Sequence, residues 1–180
     1  ITIMEEMRMF HIAICDDEIV VCTQLEKYLD KYINKGIVNT EVFYSADKLY
    51  EALSKGDLYD LIFMDIEFKA STGVEIIHKI RTELKNEIIR IVYISAKQSY
   101  TMELFATRPM NFLVKPILEQ DVIDNVEKAM TLADMQDSYF VFKFGKNNYR
   151  IPYGDILCFE SDNRKIHIYK GWRKRNVWPI

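Results

Sequence analysis

The stretch FHIAICDDEIVVCTQLEKYLDKYI, residues 10–33, decides the fold. Phe10–Cys15 form a short apolar run, Asp16, Asp17 and Glu18 are acidic, and from Val20 the apolar positions Leu25, Tyr28, Leu29, Tyr32 and Ile33 recur at helical spacing. The order is strand, acidic turn, helix. It returns four more times: TEVFYS (40–45) with ADKLYEAL (46–53), DLIFMD (60–65) with GVEIIHKIRTEL (73–84), RIVYIS (90–95) with SYTMELFA (99–106), and NFLVKP (111–116) with LEQDVIDNVEKAMTLADM (118–135). Short, continuously apolar strands are expected where both faces of a sheet are covered, which is the habit of parallel sheets. Five strand-helix units in succession predict an α/β, doubly wound fold with right-handed crossovers.

Beyond Met135 the period changes. YFVFKFGKNNYRIPYGDILCFESDNRKIHIYKG (139–171) is rich in aromatic and β-branched residues, with turn signals at Gly145–Asn148 and Ser161–Asn163, and reads as antiparallel strands. The last ten residues, GWRKRNVWPI, follow neither period. Charge changes with the pattern: residues 1–137 carry 15 Lys and Arg against 24 Asp and Glu, and residues 138–180 carry 9 against 3. Two units are expected, an acidic one over residues 8–136 and a basic one over 138–180, the second a candidate for contact with a polyanion or simply a solvated surface.

With 180 residues, 49% of them hydrophobic and 28% charged, the chain can bury one sizeable core and is not a disordered protein. Charges interrupt every apolar run before the roughly 18 residues of a membrane helix. The opening ITIMEEMRMF is not a secretory signal, so a soluble, cytoplasmic protein without membrane contact is expected. Cys15, Cys22 and Cys158 have neither metal-site spacing nor the even count of a disulfide framework.

Open parallel sheets bind ligands beyond the carboxyl ends of their strands, where strand order reverses. Those ends are Asp16-Asp17-Glu18, Asp65, Ser95 and Lys115-Pro116. Each has an ordinary explanation when taken alone: Asp16 as a helix cap, Asp65 as a loop residue, Ser95 as a turn residue, Lys115 as a surface charge. Their joint occurrence has a chemical one. Clustered carboxylates repel unless a cation neutralises them, and hard oxygen ligands with room for water and phosphate suit Mg²⁺. The cation, the Ser95 hydroxyl and Lys115 would together neutralise a phosphoryl group arriving on Asp65.

ICDDE, LIFMDIE, IVYISA and NFLVKP together resemble the receiver domain of two-component response regulators, over residues 9–135. The resemblance implies a five-stranded parallel sheet in the flavodoxin-like order 2-1-3-4-5. It also implies that Asp65 is the phosphoacceptor, and that Asp16, Asp17, Asp65 and the backbone carbonyl of Glu67 hold Mg²⁺. Ser95, Ala96 and Lys115 become the phosphate-contacting residues, Phe112 the switch aromatic, and Gly73 the glycine that closes the loop after the acceptor. The chain departs from the family at Lys69, where proline is usual, at Phe112, which has no hydroxyl, and at Thr107–Asn111, where a small residue and glycine are usual.

RIPYGDILCFESDNRKIHIY (150–169) is similar to the opening of a LytTR-type DNA-binding domain. That similarity nominates Asn163, Arg164 and Lys165 as DNA contacts in a β-rich segment shorter than the family domain. The combined reading is a transcriptional response regulator, a phosphorylation switch rather than a metabolic enzyme. Its expected partners are a sensor histidine kinase, promoter DNA bound weakly or without specificity, and a second copy on phosphorylation. The principal alternative is a receiver acting only through protein contacts. A phosphohydrolase would want a second aspartate where Glu67 stands, and a nucleotide or flavin binder would want a glycine-rich loop where Asp16–Glu18 stand.

Overall fold

The computed structural model describes residues 9–68, 72–97, 104–137, 139–144, 147–152, 155–162 and 165–170. The chain divides into two compact units, residues 1–129 and 130–180. In the first, β1 (Phe10–Cys15), α1 (Ile19–Ile33), β2 (Val38–Phe43), α2 (Ala46–Lys55), β3 (Leu61–Asp65), α3 (Gly73–Thr82), β4 (Arg90–Ser95) and β5 (Asn111–Val114) follow in order, and α4 (Glu119–Asp137) runs on into the second unit. The five strands form one parallel sheet in the order β2-β1-β3-β4-β5, as the resemblance implies.

Every residue of β3 is buried, and β1 and β4 are buried at all but one position each. This is the signature of a sheet covered on both sides. Ala13, Cys15, Ile62, Met64, Ile91 and Tyr93 pack in one cluster with Leu49 and Leu53 of α2 and Ile76, Ile77 and Ile80 of α3. Alternation along the strands turns Ile12, Ile14, Leu61, Phe63, Val92 and Ile94 to the opposite face. α1 and α4 are joined by Tyr32 Oη, which donates to Glu127 Oε1 at 2.5 Å, and Tyr28 Oη donates to the Ile117 carbonyl at 3.3 Å.

Local chemistry sets the ends of the elements. Gly56 closes α2 in the left-handed region at φ 105°. Thr72 and Glu75 open α3 with a reciprocal capping box, the Thr72 hydroxyl accepting from Glu75 N and the Glu75 carboxylate from Thr72 N. Two details differ from the sequence reading. β2 lies two residues earlier than TEVFYS, because Val38 is buried in register with Phe10 and leaves Tyr44 exposed beyond the strand. In α1 the buried stripe is Cys22, Leu25 and Leu29, and Val20 is exposed. The expected helix 99–106 falls mostly outside the described residues, which resume at Leu104 and form a 3₁₀ turn, Phe105–Thr107.

The second unit contains two antiparallel pairs, β6 (Tyr139–Phe144) with β7 (Asn147–Pro152) and β8 (Ile156–Asp162) with β9 (Lys165–Lys170). Asn147 and Asn148 belong to the β7 ladder rather than to the turn, opposite Phe144 and Lys143. Phe140 meets Phe159 edge-on at 4.8 Å and stacks with Phe142, which in turn stacks on Tyr149 at 5.3 Å. Ile151 and Ile168 are buried. Among the described residues no helix is long and apolar enough to cross a membrane.

Candidate functional site

The strand order reverses between β1 and β3, since β1 pairs with β2 on one side and β3 on the other. Cys15 is in register with Met64, so the next residues, Asp16 and Asp65, emerge side by side at this switch point. Asp65 is aligned with Ile94, which sets Ser95 just beyond it, and Lys115 N donates to the Ser95 carbonyl at 2.9 Å. Residues as distant in sequence as Asp16 and Lys115 thereby meet at one sheet edge. The Lys115-Pro116 peptide bond is cis.

Ligand oxygens of Asp16, Asp17 and Asp65 lie within 4.8 Å of one another. Asp16 and Asp65 are buried, at 1% and 2% exposure. Each is anchored by a backbone amide two residues on: Glu18 N donates to Asp16 Oδ1 at 2.8 Å and Glu67 N to Asp65 Oδ2 at 2.8 Å. The Lys115 ammonium stands 3.0 Å from Asp16 Oδ2, 3.0 Å from Asp65 Oδ1 and 2.8 Å from Glu18 Oε1. It donates a hydrogen bond to Glu18 Oε1. Asp16 Oδ2, although within ion-pair distance, is a buried oxygen with no hydrogen-bond partner.

Burial pushes the Asp65 carboxyl up to about 6, with the Asp16 charge adding to the rise and the Lys115 ammonium opposing it. Burial raises Asp16 as well, against the Glu18 amide and Lys115. For Lys115, burial lowers the ammonium, but the carboxylates of Glu18, Asp16 and Asp65 outweigh that and hold it above the ordinary lysine value. Three carboxylates stand around the one ammonium and Asp17 adds a fourth to the cluster, which leaves an excess of negative charge. The excess, the convergent oxygens and the orphaned Asp16 Oδ2 fit a hard divalent cation such as Mg²⁺.

Around this centre, Ser95 is fully buried and its Oγ accepts from Lys97 N at 2.9 Å. Ala96 is exposed next to it. The carboxylate of Glu67 is ion-paired with Lys97 Nζ. Phe112, in register with Tyr93 on β4, is half-buried and packs against the α2–α3 side of the core. The N-terminal end of α3 is fitted to the site through Gly73, whose amide donates to the Ile66 carbonyl at 3.0 Å. Of the nominated DNA contacts, Asn163 and Arg164 lie outside the described residues, as do Lys69–Ser71 in the loop after the acceptor, and Lys165 opens β9 opposite Asp162.

Three features escape the sequence reading. Glu18 is legible as part of an acidic helix start, but nothing local indicates that it reaches Lys115, 97 residues away. Tyr93 is fully buried, and its hydroxyl donates to Thr107 Oγ1 at 3.0 Å. Arg81, at a helical position that reads as surface charge, is buried, and its guanidinium donates to the carbonyls of Thr107, Asn86 and Ile89.

Comparison with known proteins agrees with this fold. Sensory transduction protein LytR of Staphylococcus saprophyticus is 28% identical over 163 residues, covering 86% of this chain and 61% of that protein. Transcriptional regulatory protein ResD of Bacillus subtilis is 27% identical over 158 residues, covering 87% of this chain and 59% of that protein. Sensory transduction protein LytT of Oceanobacillus iheyensis is 33% identical over 61 residues, 34% of this chain and 25% of that protein. The matched regions therefore span between a quarter and three fifths of these relatives. Among solved structures, the response regulatory domain of protein mrkE from Klebsiella pneumoniae shares the fold at 22% identity and a TM-score of 0.60, over 71% of this chain and all of that one. The family model for the response regulator receiver domain matches residues 12–127, and the chain belongs to that family.

Proposed function

We propose that this receiver is a phosphorylation switch whose acceptor is Asp65, charged by a sensor histidine kinase and coupled to transcription through its basic C-terminal segment. The observation that carries the reading is the Asp65 carboxylate, buried at the switch point with Asp16 and Asp17 within 4.8 Å and Lys115 at 3.0 Å. A carboxylate oxygen of Asp65 attacks phosphorus. The bond from phosphorus to the donor's nitrogen or oxygen breaks, its electron pair leaves with the donor, and an acyl phosphate forms. The backbone amide of Glu67 keeps the carboxylate oriented, and the protein's task is mainly positioning and charge neutralisation.

Asp16, Asp17, Asp65 and the Glu67 carbonyl are the residues that would hold Mg²⁺, which supplies neutralising charge to phosphoryl oxygens. Lys115 and the buried Ser95 hydroxyl would pair with the new dianion, as charge-assisted hydrogen bonds of this kind are the strong ones. Ala96 beside Ser95 keeps the approach small, and Phe112 on the neighbouring strand reports the change through its packing on the core. Such a switch needs about 5.5 kcal/mol of differential stabilisation to move from mostly off to mostly on.

The relatives named LytR and ResD, a sensory transduction and a transcriptional regulatory protein, support a regulatory output. The surplus of positive charge over residues 138–180 supports DNA as the surface it meets, with Asn163, Arg164 and Lys165 as contacts and dimerisation on phosphorylation as the means of assembly. The test is intact-mass analysis after incubation with acetyl phosphate and Mg²⁺. One labile phosphoryl group is expected, lost in Asp65→Asn. Equal labelling of that variant would remove Asp65 from the role.

A further inference from the structure

An ammonium has three N–H donors and no acceptor. Around Lys115 Nζ stand three carboxylate oxygens, Glu18 Oε1 at 2.8 Å and Asp16 Oδ2 and Asp65 Oδ1 at 3.0 Å, so its immediate surroundings are already filled by anions. An oxyanion arriving on Asp65 competes with them for Lys115, and with Glu18 for the hydrogen bond that Lys115 donates.

The three differ in what leaving would cost. Asp16 is buried and tied through Oδ1 to the Glu18 amide. Asp65 is the buried acceptor itself, held through Oδ2 by the Glu67 amide. The Glu18 side chain is 61% exposed and returns to water when released. Its carboxylate has no part in starting α1, since Glu18 stands at the N-cap without a side-chain cap bond.

We propose that Glu18 is the displaceable counter-ion of Lys115, a positioning residue that holds the ammonium at the mouth of the crevice and yields it to the oxyanion on Asp65. The inference rests on Asp65 being the acceptor. It assigns Glu18 the function of setting how tightly the site takes a phosphoryl group: the carboxylate opposes uptake in the resting state and re-forms its bond when the phosphoryl group leaves. The effect is local, because the contact is far shorter than the screening length of physiological salt, about 8 Å.

The experiment is a titration of the full 180-residue chain with beryllofluoride in the presence of Mg²⁺, followed by fluorine NMR, at low and at high salt. Glu18→Gln and Glu18→Ala are expected to bind beryllofluoride about 1.5-fold to fivefold more tightly than the parent chain, the range of an exposed ion pair. The gain should shrink at high salt, as an exposed pair is screened, with the urea midpoint unchanged. Unchanged or weaker binding in both variants overturns the proposal. A parent chain that takes up no beryllofluoride overturns the acceptor reading together with the proposal. Uptake by the parent that Asp65→Asn abolishes, with Glu18 variants indistinguishable from it, overturns the role of Glu18 alone.

Discussion

Gly73 is packed so closely under Asp65 that a Cβ added to it would stand 2.0 Å from the Asp65 carbonyl oxygen and 2.8 Å from Met64 Cγ. The first neighbour is backbone of the strand that carries the acceptor, so it cannot move without displacing Asp65. Any side chain at position 73 therefore strains the fold and the site together. Gly73→Ala is expected to lower stability by about 3 kcal/mol in urea denaturation and to reduce labelling by acetyl phosphate. Gly73→Ser should cost as much, since the clash belongs to the Cβ. A loss below about 0.5 kcal/mol, the range of an ordinary surface substitution, would contradict the close approach.

Asp65 gives a pH-dependent prediction. Its carboxyl is raised to about 6 in the folded chain, chiefly by burial, so between the unfolded value near 4 and about 6 the folded state binds the extra proton. The stabilising contribution of this protonation is full below the unfolded value and is lost as pH rises through the folded one. Asp65→Asn carries no such titration. Without Mg²⁺ it should match the parent chain near pH 4, gain on it between pH 4 and 6, and stay ahead above that by about 3 kcal/mol. Thermal melts across this range check it. Excess Mg²⁺ should narrow the gap by stabilising the parent more than the variant.

Asp17 contributes to the same acidic centre and is the trio's only partly exposed member. Asp17→Asn is expected to weaken Mg²⁺ binding about tenfold or more while leaving the acceptor in place, because it removes a charged oxygen ligand and no part of the reacting carboxylate. Isothermal titration with Mg²⁺ reads this directly. Equal affinity in parent and variant would exclude Asp17 as a ligand.

How far the site can be read from sequence follows from where its chemistry resides. Asp16, Asp65, Ser95 and Lys115 each end an apolar strand run, so finding the strands is enough to find the residues, and parallel order brings them together. β2 lies two residues away from its expected place because TEVFYS and the preceding IVNT are both compatible with a strand, and only pairing with β1 settles the choice. Val20 fits the helical period of α1 but falls on its exposed face, since a short apolar repeat does not fix the rotation of a helix. Arg81 is invisible for a stronger reason. Helical spacing marks it as one more polar position, and its partners lie 5, 8 and 26 residues away, on carbonyls whose identity no side chain betrays.

That buried guanidinium joins α3 to the turn at Thr107 and to the loop ahead of β4, with Nε 3.1 Å from the Thr107 carbonyl, Nη1 2.7 Å from Asn86 O and Nη2 2.8 Å from Ile89 O. Arg81→Met would keep the apolar stem and leave three carbonyls without their donor. It should cost about 2–4 kcal/mol in urea denaturation, because unsatisfied buried acceptors are expensive. Arg81→Lys should recover only part, an ammonium lacking the planar fork that reaches three directions. A neutral effect of Arg81→Met would mean that water replaces the guanidinium.

The C-terminal segment yields the last prediction. Residues 138–180 carry 9 Lys and Arg against 3 Asp and Glu, a net positive segment on a chain that is negative as a whole. Its described strands form two separate antiparallel pairs, β6 with β7 and β8 with β9, and the described end of β8 and start of β9 flank Asn163 and Arg164. Cations such as Arg164 and Lys165 meet phosphates first, and phosphate contacts carry affinity without sequence information. Discrimination of several kcal/mol requires several base-edge contacts, each worth about 1–3 kcal/mol. The 180-residue chain is therefore expected to bind duplex DNA weakly and with little sequence preference, its affinity falling steeply with salt as counterions are no longer released to advantage. Replacing both Arg164 and Lys165 with Ala should reduce the slope of log affinity against log salt by about 2, one for each cation that no longer neutralises a phosphate. Fluorescence anisotropy against a candidate operator and a scrambled duplex, at low and physiological salt, measures both quantities. Nanomolar, sequence-selective binding at physiological salt would show instead that this segment reads bases, and the salt slope of the double variant would then change less than its specificity.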